Sequence, residues 1–527
     1  MPLYDALYGH AVRHVLVRHE AAAAFAAGGF ARSSGQVGVC IATSCPGATN
    51  LVTGLADAMM DSVPVVAITG QVRSSLMGTD AFQEADVAAI THTITKRNFV
   101  IRSVEDVVPT LRAAFRCARG PRPGPVLVDI PTDVLKALAS PCLDEVSPRR
   151  STPPAADQTA IAQCVELLRT AKRPVAIVGG GARSANATDA YRALCARLGF
   201  PHSATINGLG CAHPSDPRFL GMLGMHGWKA ANLAVAQADV VLALGMRFDD
   251  RVTGPPDRFA TKAAIVHADI DASEFGKTVR ADIRLQGDLR QTLEALHAAV
   301  PSTFPTFEGW ADEAVRLGGA LPRDRVHAER LSATDVLDAL FAALPGDAIV
   351  TTDVGQHQMW SAQRARPAHA RNFLTSAGLG AMGFGLPAGI GAAFASQGRP
   401  VVAIVGDGGF QMSLAELATI RRYNVPLKIL LIDNRNLGMV RQWQQLFYDE
   451  RYSATNLSDN PDFCNIARAY DIETASLQHP RELAQALQHF LAHPSAMLLH
   501  CACYPEENVW PMVPAGAAMH ELIEAAP

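Results

Sequence analysis

The chain has 527 residues, which at ~150 residues per domain gives room for about three domains, each large enough to bury its own core. Hydrophobic residues make up 49%, charged residues 18% and aromatics 6%, with Gly 41, a profile that excludes a disordered or fibrous chain and suits a small-residue-rich α/β enzyme. Lys+Arg 46 against Asp+Glu 50 leaves a formal net charge of −4, so neither nucleic acid nor an acidic membrane is an expected partner, and any anion must be gripped locally.

The first residues, MPLYDALYGHAVRH, lack the basic and apolar regions of a secretory signal. Cys 10, scattered without a CxxC pair or zinc spacing, points to a reducing, cytoplasmic compartment. Apolar β-branched runs then recur along the chain at Val37–Ala42, Val65–Thr69, Val126–Ile130, Val175–Val178, Val240–Leu244, Ala264–Ala268, Ile349–Thr352, Val401–Val405 and Lys428–Ile432. Helical stretches such as Glu20–Arg32 and Leu414–Tyr423 separate them. The alternation predicts βαβ units and parallel sheets. Polar, Pro-rich breaks at Ser147–Asp157 and at Pro301–Glu313, followed by Leu321–Glu329, divide the chain into doubly wound α/β domains over 1–146, 158–300 and 330–503, with a tail over 504–527. The uncharged stretch Phe373–Ser396 has the length of a membrane span, but its glycines and Pro387 predict a glycine-rich loop leading into a buried small-residue helix.

The most informative segment is GDGGFQMSLAELATIRRYNVPLKILLIDNRNLGM. One predicted strand ends at Gly406-Asp407-Gly408 and the next ends at Asp433-Asn434, one crossover later, so both deliver oxygen ligands to the same edge of a parallel sheet. Mg²⁺ takes about six oxygens and is usually shared between a few protein groups and substrate phosphates. The Asp407 carboxylate, the Asn434 amide oxygen and the Asn436 main-chain carbonyl supply three, and Gly408 and Gly409 let backbone N–H groups approach a diphosphate. An ordinary turn with a solvated Asp is the competing reading of Gly-Asp-Gly alone. Gly378-Leu-Gly380-Ala-Met-Gly383 also fits the dinucleotide pattern G-x-G-x-x-G, but a nicotinamide reading leaves Asn434 and a remote Glu20 unused.

This constellation resembles the thiamine-diphosphate enzymes, with Glu20 at the head of the Ala-rich segment EAAAAFAAGGFAR as the expected acidic partner from a separate domain. The segments GTDAFQEADV, GPVLVDIP, LGMLGMHG, GMRFDDRVTG, VGQHQMW, GLGAMGFGLPA, GMVRQWQQLFYDERYS and ENVWPMVP resemble, collinearly over essentially the whole chain, the catalytic subunits of the acetolactate synthase family. The resemblance implies a transferase that decarboxylates pyruvate and joins the two-carbon unit to a second pyruvate or to 2-ketobutyrate, in branched-chain amino-acid biosynthesis. It also implies thiamine diphosphate, Mg²⁺ and a structural FAD in the central domain, homodimers or homotetramers with inter-chain active sites, and a small regulatory subunit. By the same resemblance Glu20 meets the aminopyrimidine, main-chain groups around Gly380 and Met382 its other side, Gln356 and His357 the diphosphate, and Met439 is a further cofactor contact. FAD falls to Arg122, Gly179, Gly180, Gly181, Thr205, Leu223, Met225, His226, Gly245, Arg247, Asp249, Asp269, Gly287 and Asp288. Phe82, Gln83, Met225, Val354, Met439 and Trp443 line a dry substrate pocket, with Arg251 for the acceptor carboxylate.

Three departures stand out. The family carries a helix and strand ahead of the point where this sequence starts, so an upstream start is expected. Cys45 replaces a loop glycine, a strained change if the position needs positive φ. Thr132 replaces a lysine, and Trp228 replaces a smaller residue, where it is expected to crowd the FAD site. Another thiamine-dependent 2-ketoacid lyase or carboligase, or a catalytically inactive relative, are the alternative readings.

Overall fold

A computed structural model describes residues 1–139, 156–324 and 326–525. The chain folds as three α/β domains, each built on an all-parallel sheet. The first sheet holds β1 (Gly38–Ala42), β2 (Val65–Gln71), β3 (Arg97–Val100) and β4 (Val126–Pro131) in the order β1-β2-β4-β3. The second holds β5 (Pro174–Val178), β6 (His202–Ala204), β7 (Phe219–Met222), β8 (Val240–Leu244), β9 (Ala264–Asp269) and β10 (Ile283–Gln286) in the order β10-β9-β8-β5-β6-β7. The third holds β11 (Ile349–Thr352), β12 (Phe373–Leu374), β13 (Val401–Gly406), β14 (Leu427–Asp433), β15 (Glu473–Leu477) and β16 (Met497–Ala502) in the order β12-β11-β13-β14-β16-β15. Strands such as β5, β8, β13 and β14 are buried along their whole length, as unbroken apolar runs between two helical layers must be.

All nine expected strands form. The seven not expected are short or polar, as in Arg97–Val100 and His202–Ala204, or rich in helix-forming residues, as in Met497–Ala502. The expected linker Ser147–Asp157 lies, up to residue 155, outside the described residues. The stretch expected as a second linker is partly folded: Glu308–Arg316 is a helix whose Trp310 is buried on the second domain and donates to the Pro174 carbonyl at 3.1 Å. A tryptophan in a polar run was the sign that this segment packs.

The stretch Phe373–Ser396 forms β12, a loop and the buried helix Gly385–Ala395, and among the described residues no helix is long and apolar enough to cross a membrane. This helix packs on the helix Glu20–Ser34 of the first domain with backbones in contact. A Cβ at Gly391 would lie 1.9 Å from the Ala26 carbonyl oxygen, and one at Gly29 would lie 2.2 Å from that of Ala388, so both positions need glycine. Beside this contact, buried Arg32 pairs with Asp57 at 2.8 Å and Asp61 at 3.0 Å. Asp61 in turn accepts from Asn207 of the second domain and from the Ala377 and Gly378 amides of the third, so one carboxylate ties all three domains together. The tail also packs: buried Glu507 accepts from Ser332, Ala333 and Thr334, and the Val513 amide donates to the Met225 carbonyl at 2.8 Å.

Candidate functional site

Two sheets reverse their strand order, and in open α/β sheets ligands bind outside the carboxyl ends of the strands at that reversal. In the second domain it falls between β5 and β8. Gly179–Gly181 follow β5 and Gly245–Arg247 follow β8, so close that a Cβ on Gly179 would lie 2.4 Å from the Gly245 carbonyl oxygen. The crevice opens into a cavity of about 1300 Å³ that runs from this edge to the third domain, room enough for a dinucleotide and more.

Most of the expected residues meet there. Arg122, Gly180, Gly181, Thr205, Leu223, Met225, His226, Gly245, Arg247, Asp249, Asp269 and Asp288 line the cavity from one side, whereas Gly179 and Gly287 lie behind it. Arg251, Val354, Gly380, Met382, Met439 and Trp443 line it from the other. Arg122 is fixed by Asp271 at 2.9 Å and Glu274 at 2.7 Å. Burial pushes Asp269 up to about 6 and His226 down to about 4, and the buried Nδ1 of His226 has no partner. The Met60-Asp61-Ser62 corner of the first domain, Asn207, and Gln358 and Met359 of the third also line the cavity. Gln358 and Met359 fall within the VGQHQMW segment, whereas no motif marks Met60, Asp61, Ser62 or Asn207 in the sequence. Trp228 does not line it. Its indole turns to the third domain, donating to the Gln363 carbonyl at 2.9 Å under the Arg366 guanidinium, so the expected crowding does not occur. Cys45 is not among the residues with positive φ, so the strain expected there is absent, and Thr132 donates to the Gln71 carbonyl at 2.7 Å.

In the third domain the reversal falls between β11 and β13. Asp353 follows β11, and its buried carboxylate accepts the amides of Val354, Gly383 and Gly385, which pins the Gly378–Gly383 loop. Burial still lifts Asp353 to about 6. That loop leaves β12, a two-residue strand at the sheet edge, so the G-x-G-x-x-G pattern does not sit at a dinucleotide crevice. Asp407 follows β13 and is 2% exposed. Burial and the neighbouring Asp433 raise it to about 7. Asn460 donates to both carboxylates, at 2.8 and 3.2 Å, and His500, which Asp433 lifts to about 9 despite burial, contacts Asp433 at 2.9 Å. Asn434 lies at the end of the adjacent β14. Its Nδ2 donates to Gln356 at 3.1 Å, and its Oδ1 accepts from the Asn436 amide at 3.2 Å. Gln356 and His357 start the helix Gln356–Arg364, and the buried His357 Nε2 has no partner. Gly408 and Gly409 open the helix after β13, with Asp353 close against Gly409.

Glu20, Phe82 and Gln83 of the first domain are not among the residues that line the large cavity. Glu20 begins its helix and accepts from Asn50 at 3.0 Å. Phe82 is 88% exposed and Gln83, at φ 62, is exposed beside it, on a loop held by amides of residues 79 and 81 donating to Glu84.

Three family models match in order: "Thiamine pyrophosphate enzyme, N-terminal TPP binding domain" over residues 1–90, "central domain" over 161–296 and "C-terminal TPP binding domain" over 353–501. Sheets, crevices and matches together define a three-domain thiamine pyrophosphate enzyme. The acetolactate synthase isozyme 2 large subunit of Escherichia coli is 46% identical over 530 residues, covering 99% of this chain and 94% of that one. An acetolactate synthase of Mycobacterium bovis is 44% identical over 99% of this chain and 87% of its own, and a probable acetolactate synthase large subunit of Methanocaldococcus jannaschii is 42% identical over 99% and 91%. The chain belongs to the acetolactate synthase large-subunit family.

Proposed function

We propose that the chain decarboxylates pyruvate and joins the retained two-carbon unit to a second pyruvate or to 2-ketobutyrate, using thiamine diphosphate, Mg²⁺ and a structural FAD. The observation that carries this reading is Asp407, a buried carboxylate raised to about 7 beside a second carboxylate at the β11–β13 crevice. Such a group is stabilised by a cation. The Asp407 carboxylate, the Asn434 side-chain oxygen and the Asn436 carbonyl are the hard oxygen donors that Mg²⁺ prefers, and a diphosphate completes the shell. His357, with a buried unpartnered Nε2, together with Gln356, Gly408 and Gly409, is the matching cradle for that diphosphate.

Thiamine diphosphate, when bound, supplies the electron sink that a 2-ketoacid lacks. The remaining work belongs to the chain. Glu20 holds a proton at the aminopyrimidine, with Gly380, Met382 and Met439 on the opposite side of the ring. Met225, Val354, Phe82 and Trp443 exclude water, which suppresses protonation of the two-carbon unit to acetaldehyde. Gln83 borders the same pocket. Arg251, whose guanidinium touches Met225 Sδ at 4.0 Å and pairs with exposed Asp250 at 3.4 Å, takes the acceptor carboxylate as a planar fork. FAD fits the β5–β8 crevice, where the glycines admit a pyrophosphate and the unpartnered His226 Nδ1 awaits a polar group.

Exposed Phe82 and Gln83, and a Glu20 that does not line the large cavity, support an active site completed by a second copy. The "large subunit" in the names of two relatives supports a small regulatory partner. The reducing cysteine chemistry supports a cytoplasmic setting. The test is pyruvate consumption by the purified chain with all three cofactors, with acetolactate and acetaldehyde quantified separately. Predominant acetolactate is expected. Predominant acetaldehyde overturns the carboligase reading, and no turnover of pyruvate overturns both.

A further inference from the structure

A second cavity, of about 600 Å³ and sharing no lining residue with the first, lies where the three domains meet. Four arginines face it: Arg183 and Arg192 from the second domain, Arg371 and Arg399 from the third. Ser33 closes it from the first domain, and Asp189 is the one carboxylate in its wall.

Every hydrogen bond recorded for these arginines goes to a neutral oxygen. Arg192 donates to the carbonyls of Cys211, Gly210, Ala212 and Ala368 at 2.9–3.2 Å. Arg371 donates to the carbonyls of Arg32 and Arg183 and to Asn186, at 3.0–3.1 Å. Arg399 donates to the Ser396 carbonyl at 3.1 Å and to Asn372 at 3.3 Å. Arg183 is 4% exposed, and its Nη1 is buried with no partner. Among the described residues none of the four is in an ion pair, in contrast to buried Arg32 a short distance away, which holds two carboxylates. Burial, then the like charges of Arg32 and Arg371, push Arg183 down to about 10, which still leaves it charged at neutral pH. Taking a cation out of water is costly without a counter-charge in contact, and that cost falls on buried Arg183, while half-buried Arg192, Arg371 and Arg399 add like charge around the cavity.

We infer that this junction is a binding site for a phosphate-bearing small molecule, whose phosphate takes the guanidinium donors of Arg183, Arg371 and Arg399 and whose hydroxyls meet Asp189. Guanidinium forks match phosphate geometry and charge, and four cations against one carboxylate favour a dianion over a monocarboxylate. A volume of about 600 Å³ lies within the range of small-ligand sites and exceeds what one phosphate fills. The ligand braces the domains, because Arg371 already bridges the first and second from the third. It also reaches the large cavity: Arg183 sits on the helix Gly180–Ser184, whose Gly180, Gly181 and Ser184 line that cavity from the other side.

The test uses the full chain saturated with thiamine diphosphate, Mg²⁺ and FAD, so that those phosphate sites are filled. Inorganic phosphate and ribose 5-phosphate are titrated against sodium chloride at equal ionic strength and constant free Mg²⁺, with thermal unfolding and ³¹P line broadening as readouts. The expected result is a saturable rise in Tm of about 2–4 °C, at lower concentration for ribose 5-phosphate, with chloride inert. Arg399→Gln weakens the apparent affinity by about tenfold, the loss of one charge-assisted contact. Arg183→Met removes the response and raises Tm in the absence of phosphate, because it deletes an unpaired buried charge. A response that chloride reproduces, or one that survives in both variants, overturns the inference. Response to phosphate alone, with no gain from the sugar, limits the site to an adventitious ion only and overturns it as a metabolite site.

Discussion

The β11–β13 edge of the third domain and the Glu20 and Phe82 region of the first are both expected to serve one reaction, yet they are built in opposite ways. Around Asp407 the chain closes on itself: the carboxylate is 2% exposed, and Gln356 links Asn434 to Gln442 and to the Glu507 carbonyl of the tail. Around Phe82 it leaves a phenyl ring 88% exposed on a loop with positive φ at Asp80 and Gln83. A site that must hold a charged diphosphate needs donors fixed in advance, and a buried switch point fixes them. A wall that must shut out water can be supplied by another surface, and an exposed aromatic is what such a wall looks like before it is covered.

The most severe way to break this contrast is to disable one half at a time. Glu20→Gln and Asp407→Asn are each expected to lower acetolactate formation by ~10²–10⁴-fold, the range for removing a positioned acid or base. If the halves come from different chains, mixing the two dead variants restores one intact site in each mixed dimer, about a quarter of wild-type activity for random twofold pairing. No recovery on mixing would place both halves in one chain and end the comparison.

The next largest effect is on the joint between the domains. Arg32→Met leaves Asp57 and Asp61 buried without their cation, which costs about 3–5 kcal/mol. Denaturant unfolding reads it as a lower midpoint. Since Asp61 also holds the Ala377 and Gly378 amides and Asn207, FAD affinity is expected to fall with stability.

How much of this was legible depends on where side chains point. The three sheets were readable because Val401–Val405 or Val240–Leu244 are apolar whichever face they show. Asp407, Asn434 and the Gly179–Gly181 turn were readable because strand ends converge at a switch point, which topology alone dictates. Asp61 and Asn207 were not: each sits on an ordinary helix end or turn, and only domain packing brings Asn207 and the third-domain amides onto Asp61. Nor did the place of Trp228, two residues after His226, say in which direction the indole leaves the backbone: it turns to Gln363 and does not line the large cavity. Met497–Ala502 was missed because its Met, Leu and Ala suit a helix as well as a strand, and burial between two strands decided the matter.

A smaller effect separates the first sheet from the third. Asp129, at the carboxyl end of β4, is 1% exposed and bonded only to Thr69 at 2.6 Å and Gln71 at 3.1 Å, and burial lifts it from 3.8 to about 6. With the folded value above the unfolded one, the protonated carboxyl stabilises the fold fully below about pH 3.8, and this contribution is lost as pH rises through about 6. In Asp129→Asn the amide oxygen still accepts from Gln71 and the amide NH2 donates to the Thr69 hydroxyl, which reverses its role, so both partners are kept without the charge. It is expected to stabilise the chain at pH 7.5 by ~1–3 kcal/mol, with the gain over wild type vanishing by pH 4. A Tm difference between the two proteins that does not change with pH would show that Asp129 titrates normally.

Trp443 gives the finest test, because it lines the large cavity alongside Val354 and Met382 of the closed half. It sits on the helix Gly438–Phe447 and stacks edge-on against Phe447 at 5.4 Å, so the ring is held by its own helix while its outer face stays available to a ligand. A fixed apolar face rewards one extra methyl group by ~1–3 kcal/mol, which is the difference between 2-ketobutyrate and pyruvate as acceptor. Trp443→Leu is therefore expected to cut the preference for 2-ketobutyrate by about tenfold in a two-acid competition, with pyruvate turnover nearly unchanged. A fall in pyruvate turnover with the product ratio intact would instead make Trp443 a support for the closed half, and the choice of acceptor would then rest with the residues that cover Phe82.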